Sequence, residues 1–112
     1  QVIVSVGYGE GAEIASRLER SNVIVNYQAT PDEEGFTASG ALRMGVSEMT
    51  RFGFGEKEFA QLASLMADCI LRGKEIGPDV ARLRAQHLEM GYCFNDAQFE
   101  TALEKLAEKT GL

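Results

Sequence analysis

The sequence predicts a small α+β domain, α/β in type, whose mostly three-stranded sheet is covered by helices. Three observations support this fold class. A β-branched apolar run at residues 2–6 leads straight into a glycine-rich turn, and a short glycine-bounded strand follows at residues 39–45. Apolar residues then recur at helical spacing through much of the second half. With 112 residues and 45% hydrophobic content, the chain fits one domain with a single core.

The elements of the first half follow from local composition. Glycines at positions 7, 9 and 11 end the first strand, because glycine tolerates the backbone geometry of a tight turn. The helix after this turn places Ile14, Ala15 and Leu18 on one face. The acidic stretch at residues 32–35 has no apolar residue, which predicts a solvated loop. The predicted order is a strand at 2–6, a helix at 12–20, a strand opening at 23–25, the acidic loop, a strand at 39–45 and a second loop at 50–55.

The second half is predicted to contain three helices. The first spans residues 56–72, and Gly73 is placed to end it. Pro78 can occupy the first turn of the next helix, and Asn95 or Asp96 can cap the last one. The apolar stripes of these helices are expected to be buried: Phe59, Leu62, Leu65, Met66, Cys69 and Ile70; Val80, Leu83, His87 and Met90; Phe99, Ala102, Leu103 and Leu106.

Charge and cysteine content exclude several function classes. The net charge is -6, with 11 basic residues scattered among 17 acidic ones, so no nucleic-acid or anionic-membrane partner is expected. No apolar run approaches the roughly 20 residues of a membrane-spanning helix. Cys69 and Cys93 are too isolated for a zinc site and are interpreted as reduced thiols of a cytoplasmic protein. Because residue 1 is Gln and a strand follows at once, the chain is expected to be part of a larger one.

The glycine cluster at residues 7–12 also matches the G-x-G-x-x-A pattern of dinucleotide-binding turns. That pattern aims backbone N–H groups at a pyrophosphate, and Glu10 inside the turn opposes such an anion. No acidic residue at the end of the second strand can bind a ribose. A tight strand-to-helix turn is therefore the favoured interpretation, and no cofactor-binding residue is assigned.

Arg43 is the candidate functional residue, because it lies in a short apolar strand between glycines. Its guanidinium can bind a ligand carboxylate through two parallel hydrogen bonds. Alternatively, it is an edge-strand arginine that faces solvent or pairs with a nearby acid such as Glu48. The residues alone leave both interpretations open.

Residues 22–72 resemble a known family. Thr37-Ala38-Ser39-Gly40-Ala41-Leu42-Arg43-Met44-Gly45, then Met49-Thr50-Arg51-Phe52-Gly53-Phe54 and an amphipathic helix, are similar to the C-terminal domain of serine hydroxymethyltransferase (glycine hydroxymethyltransferase). The similarity extends more loosely over residues 2–20 and 78–89.

The resemblance implies a pyridoxal-phosphate enzyme of the aspartate-aminotransferase fold type (fold type I), whose small C-terminal domain closes over a cofactor held by a large domain. Residues 1–112 would form that small domain, with 92–112 as a C-terminal helical extension. Arg43 would bind the substrate carboxylate, supported by Ser39 and Gly40. The family interconverts serine and glycine in one-carbon metabolism, with tetrahydrofolate as co-substrate, and usually forms a homodimer.

Two features limit what the resemblance implies for this chain. The family has one residue between the serine-glycine pair and the arginine, whereas this sequence has Ala41 and Leu42, so either a bulge restores the direction of Arg43 or its role differs. No segment resembles the one that carries the cofactor lysine, so no catalytic residue is assigned and the chain alone is expected to be inactive. The alternatives are a divergent pyridoxal-phosphate enzyme, such as an aminotransferase or aldolase for another amino acid, and a stand-alone ligand-binding or regulatory domain.

Overall fold

The computed structural model describes residues 1–33 and 38–111. Glu34 and Gly35 of the predicted acidic loop, and Thr37 of the family-like motif, lie outside the described residues. The elements are β1 (Val2–Ser5), α1 (Gly11–Glu19), β2 (Asn26–Gln28), β3 (Ala41–Met44), α2 (Ser47–Arg51), α3 (Glu56–Arg72), α4 (Gly77–Ala85) and α5 (Asp96–Thr110).

The three strands form one antiparallel sheet in the order β1-β3-β2. The last strand in sequence is therefore the central one, and it pairs with β1 on one side and β2 on the other. Helix α1 packs against β2, β3 and α3, and α4 packs against α3. The described residues thus form an α+β arrangement with helices on the sheet, which is the predicted class.

The core lies between the sheet and the helices α1, α3 and α4. Leu18, Leu42 and Ile76 have side chains that are wholly buried. The apolar face predicted for α1 supplies the first of these, and β3 supplies the second. The remaining members of the buried cluster are Ile14, Ala15, Val23, Met66, Cys69 and Val80.

Helix α3 begins and ends as its sequence predicts. The Glu58 Oε2 atom accepts a hydrogen bond of 3.0 Å from the Gly55 N–H at the start. Gly73 ends the helix with a φ of 65°, a left-handed conformation that glycine adopts without strain. The guanidinium of Arg17 donates to the Cys69 carbonyl near this end, which links α1 to the last turn of α3.

The second strand was predicted to open at residues 23–25 and to run out into residues 28–31, and its start is wrong, because sheet pairing begins only at Asn26. Asn22 has a φ of 63°, and the N–H of Val23 bonds back to the Leu18 carbonyl at 3.0 Å. The apolar side chain of Val23 therefore packs in the core, but from a turn rather than from a strand. The short helix α2 was also missed, since the sequence there was interpreted partly as a loop.

The last two helices differ from their predicted packing. Helix α4 ends at Ala85, so His87 and Met90 lie beyond it rather than on its buried stripe. Helix α5 has the predicted cap, in which the Gln98 N–H donates to Asn95 Oδ1 at 2.8 Å. Its apolar side is nevertheless exposed in the described chain, as the fractional exposures of Phe99 (56%) and Leu106 (55%) show. A regular apolar stripe predicts the helix, but it does not specify which element packs against the apolar face.

Candidate functional site around Arg43

Arg43 projects from the central strand on the face of the sheet opposite the core. Its cross-strand neighbours are Ile3 on β1 and Asn26 on β2. Residues directly opposite one another in a sheet project to the same face, whereas successive residues alternate. Leu42 accordingly points into the core with no exposed surface, and Arg43 is exposed.

The pairing of β3 is continuous from Ala41 to Met44 with β1, and from Ala41 to Arg43 with β2. The register therefore contains no bulge over Ala41–Met44. The bulge that the sequence suggested as a way to restore the direction of Arg43 is not formed within Ala41–Met44.

The guanidinium of Arg43 forms no ion pair within residues 1–33 and 38–111, where the ion pairs join Asp68 to Arg72 and Lys74, and Asp79 to Arg82. The pair with Glu48 considered from the sequence is not formed. An exposed cation without an internal acidic partner can bind an external carboxylate, and its two parallel N–H groups match the two carboxylate oxygens.

Ser39 and Gly40 lie immediately before β3 and are both buried. The Ser39 carbonyl accepts a hydrogen bond of 2.8 Å from the Gly11 N–H, and the Gly40 carbonyl accepts one of 2.8 Å from the Val6 N–H. The backbone leading to Arg43 is thus bonded to both ends of the turn that joins β1 to α1. Both residues therefore contribute a backbone carbonyl to this junction.

Position 40 has no room for a side chain. A Cβ atom at this position would lie 2.6 Å from the Gly7 carbonyl oxygen and 2.8 Å from each carboxylate oxygen of Glu33. Real Cβ contacts are essentially never that short, so a larger residue would displace one of these neighbours. The close approach of three chain segments requires glycine here.

Glu33 is a site residue that the sequence interpretation missed, because it was assigned to a solvated loop. Its Oε1 atom accepts hydrogen bonds from the Thr30 N–H (2.9 Å), the Thr30 hydroxyl (2.8 Å) and the Gly40 N–H (2.9 Å). Its Oε2 atom is buried and has no hydrogen-bond partner of good geometry among the described residues. The spacing Thr-x-x-Glu was the available signal, since it is the pattern by which a carboxylate returns to a backbone N–H three residues earlier.

The hydrogen bonds to Glu33 favour its charged form. The backbone N–H of Thr30 contributes most, and the Thr30 hydroxyl and the N–H groups of Gly40 and Gly9 add to it. Together they hold the pKa of Glu33 below the ordinary glutamate value of 4.5, although desolvation acts in the opposite direction. Glu33 is therefore a carboxylate at neutral pH.

The glycine-rich turn uses its own N–H groups within the chain. The Glu10 N–H donates to the Gly7 carbonyl at 3.1 Å, and the Gly11 N–H donates to Ser39. Gly7 and Gly9 have φ values of 114° and 72°, which are turn conformations suited to glycine. This arrangement favours the tight-turn interpretation over a pyrophosphate-binding loop.

Among the described residues, the other side chains that could take part in catalysis or metal binding do not form a cluster with Arg43. His87 packs its ring edge-to-face against Phe54, with centroids 5.0 Å apart. Within the described ranges, no group of three or more His, Cys, Asp or Glu residues could hold a metal ion. No helix in the described part of the chain is long and apolar enough to cross a membrane. The four lysines of the chain, all exposed, are Lys57, Lys74, Lys105 and Lys109.

Comparison with known proteins finds serine hydroxymethyltransferases among the relatives of this chain. A serine hydroxymethyltransferase of Pyrobaculum arsenaticum is 39% identical over 98 residues, which span 84% of this chain. The chain is related to serine hydroxymethyltransferases, in their C-terminal domain. A hydroxymethyltransferase of Cenarchaeum symbiosum is 38% identical over 103 residues, covering 85% of the chain. One of Saccharolobus islandicus is 36% identical over 116 residues and covers 98% of the chain.

The chain spans about a quarter of the length of these hydroxymethyltransferases: 23% of the Pyrobaculum and Cenarchaeum proteins and 26% of the Saccharolobus protein. The last match extends over nearly all of the chain, so the segment that forms α5 has a counterpart in that relative. No protein-family model matches the chain, and no solved structure matches it.

Proposed function

We propose that this chain is the small domain of a pyridoxal-phosphate-dependent serine/glycine hydroxymethyltransferase and that Arg43 binds the carboxylate of the amino-acid substrate. The observation that carries the proposal is the position of Arg43. It is exposed on the face of the sheet away from the core, opposite Asn26, and has no ion pair in the described chain. An exposed, unpaired arginine of this kind can bind an anion.

The open face of the sheet suits contact with the rest of a larger protein. Ile3 flanks Arg43 there with 53% of its surface exposed, although it is a strongly apolar residue. In the parent protein, a second domain that closes over this face would cover the apolar residue together with the cation beside it, which is unpaired among the described residues. The remaining three quarters of the relatives' length supplies that second domain in the proposal.

Arg43 orients the amino-acid substrate for the reaction. Two parallel hydrogen bonds to the carboxylate fix the rotation of the amino acid about its Cα–N bond. This rotation determines which of the other Cα bonds is aligned for cleavage. Bound by the large domain, pyridoxal phosphate supplies the electron sink for that bond cleavage. The lysine that attaches the cofactor would come from the large domain, because the four lysines here lie on α3, after it and on α5.

The parent protein would also share the substrates and the oligomeric state of the family. Serine and glycine are its substrates, tetrahydrofolate accepts the one-carbon unit, and the parent assembles as a homodimer. The isolated chain is expected to be inactive. A divergent parent that acts on another amino acid as an aminotransferase or aldolase would still use Arg43, because the α-carboxylate is common to all these substrates.

The test uses the full-length parent protein, with Arg43→Ala and the matched control Arg20→Ala. Arg20 is an exposed arginine at the end of α1, the helix whose apolar residues pack in the core cluster with Leu42. Visible absorbance of the bound cofactor is followed while glycine, serine or another amino acid is added. We expect Arg43→Ala to weaken glycine binding roughly 100-fold, as loss of a charged hydrogen-bonding partner does, and Arg20→Ala to leave it unchanged.

An unchanged glycine response in Arg43→Ala would remove Arg43 from the substrate site. A parent without a cofactor band would instead support a stand-alone binding or regulatory domain. Activity with serine and tetrahydrofolate separates the hydroxymethyltransferase from an aminotransferase or aldolase. Light scattering of the same sample measures whether the parent is a dimer.

A further inference from the structure

Three chain junctions meet at one end of the sheet, and Glu33 lies among them. The turn after β1 contains Gly7 and Gly9, the turn after β2 contains Thr30, and Gly40 precedes β3. The carboxylate of Glu33 bonds directly to the second and third of these junctions and lies against the first. A single side chain therefore contacts the segments that follow β1 and β2 and the segment that precedes β3.

The contacts of Glu33 act on the start of β3. Gly40 donates its N–H to Glu33 Oε1 at 2.9 Å and accepts the Val6 N–H through its carbonyl at 2.8 Å. Both backbone hydrogen-bonding groups of Gly40 are thus fixed from opposite sides. Gly40 leads directly into β3, whose continuous pairing includes Arg43, so the direction of that strand sets where the guanidinium lies.

We propose that Glu33 is a positioning residue for Arg43: its carboxylate holds Gly40, and through β3 it holds the guanidinium in the orientation that binds the substrate carboxylate. The inference rests on the proposed function of Arg43. Glu33 itself is bonded to the backbone and to Thr30, so it acts through Arg43 rather than on the substrate. Its Oε1 atom accepts hydrogen bonds from Thr30 and Gly40, and its Oε2 atom is buried.

The test is a double-mutant cycle in the full-length parent protein. Glycine affinity, the KM for serine and kcat are measured for the wild type, Glu33→Ala, Arg43→Ala and the double variant. We expect Glu33→Ala to raise the glycine dissociation constant on the order of tenfold, because a small misplacement of a positioning group weakens binding. In the Arg43→Ala background, Glu33→Ala should change that constant by less than about twofold, since the interaction it supports is already absent.

Two variants keep the cycle interpretable. Glu33→Gln retains an oxygen that can accept the Gly40 N–H, so it is expected to keep more of the glycine affinity than Glu33→Ala and serves in its place should the alanine variant not fold. Asp32→Ala removes the exposed neighbouring carboxylate and is expected to bind glycine like the wild type.

The outcomes separate this inference from the function on which it rests. If Arg43→Ala itself leaves glycine binding intact, the carboxylate-binding role of Arg43 fails. If Arg43→Ala weakens binding while Glu33→Ala and Glu33→Gln do not, only the positioning role fails. An equal effect of Glu33→Ala with and without Arg43 would also overturn that role, because it would show that Glu33 acts independently of the arginine.

Discussion

Leu42 and Arg43 are adjacent on the central strand but project from opposite faces of the sheet. Leu42 has no exposed surface and belongs to the core cluster with Leu18, whereas Arg43 lies on the open face opposite Asn26. The period-2 alternation of a strand couples the two, because placing Leu42 on the core face directs Arg43 to the opposite face. Stability and the candidate site are therefore linked at this pair.

Leu42→Ala is expected to lower the free energy of unfolding by about 2–5 kcal/mol, because it removes a fully buried side chain and leaves a cavity. Leu71→Ala is the matched control, since Leu71 lies on α3 with 81% of its surface exposed. The control is expected to remain within about 0.5 kcal/mol of the wild type. Denaturant unfolding of the three chains measures the difference, and equal losses would contradict the burial of Leu42.

Gly40→Ala is expected to destabilise the chain by about 1–3 kcal/mol, because its Cβ would overlap the Gly7 carbonyl and the Glu33 carboxylate. Gly45→Ala, at the other end of β3, meets no atom within 4 Å and is the matched control. Thermal unfolding of both variants compares them. A stable Gly40→Ala chain would mean that the Glu33 contact has room to relax.

The stabilisation that depends on the charge of Glu33 should disappear in acid. Its folded-state pKa is lowered, chiefly by the Thr30 N–H, so this contribution is complete above the ordinary value of 4.5 and is lost as the pH falls through the folded-state pKa. The difference in unfolding free energy between the wild type and Glu33→Gln should therefore be constant above about pH 5 and shrink below it. Denaturant unfolding at a series of pH values checks this, and a constant difference down to about pH 3 would contradict it.

Leu103→Ala on α5 is expected to change the free energy of unfolding of this chain by no more than about 0.5 kcal/mol, since 48% of Leu103 is exposed. Leu83→Ala on α4 provides the contrast, because Leu83 is only 7% exposed and should cost about 2–5 kcal/mol. Denaturant unfolding of both variants makes the comparison. A large loss for Leu103→Ala would show that α5 packs against the domain.

Local features of the fold could be predicted because neighbouring residues determine them. The left-handed glycine at Gly73 ends α3, and Asn95 caps α5, as expected from helix-terminus chemistry. The buried face of α1 also followed from its 3.6-residue period. These features depend on contacts within a few residues of one another.

The sequence by itself determined the α+β class, the ends of α3 and α5, the family resemblance and the choice of Arg43 as the residue of interest. Only the tertiary structure decided that β3 lies between β1 and β2, which face Arg43 occupies, and that Glu33 bonds to Gly40. It also decided that Val23 packs in the core from a turn and that the apolar side of α5 stays exposed in this chain. The physical reason is common to all of these: strand pairing and side-chain burial depend on residues far apart in sequence, so periodicity identifies an apolar face without specifying what covers it.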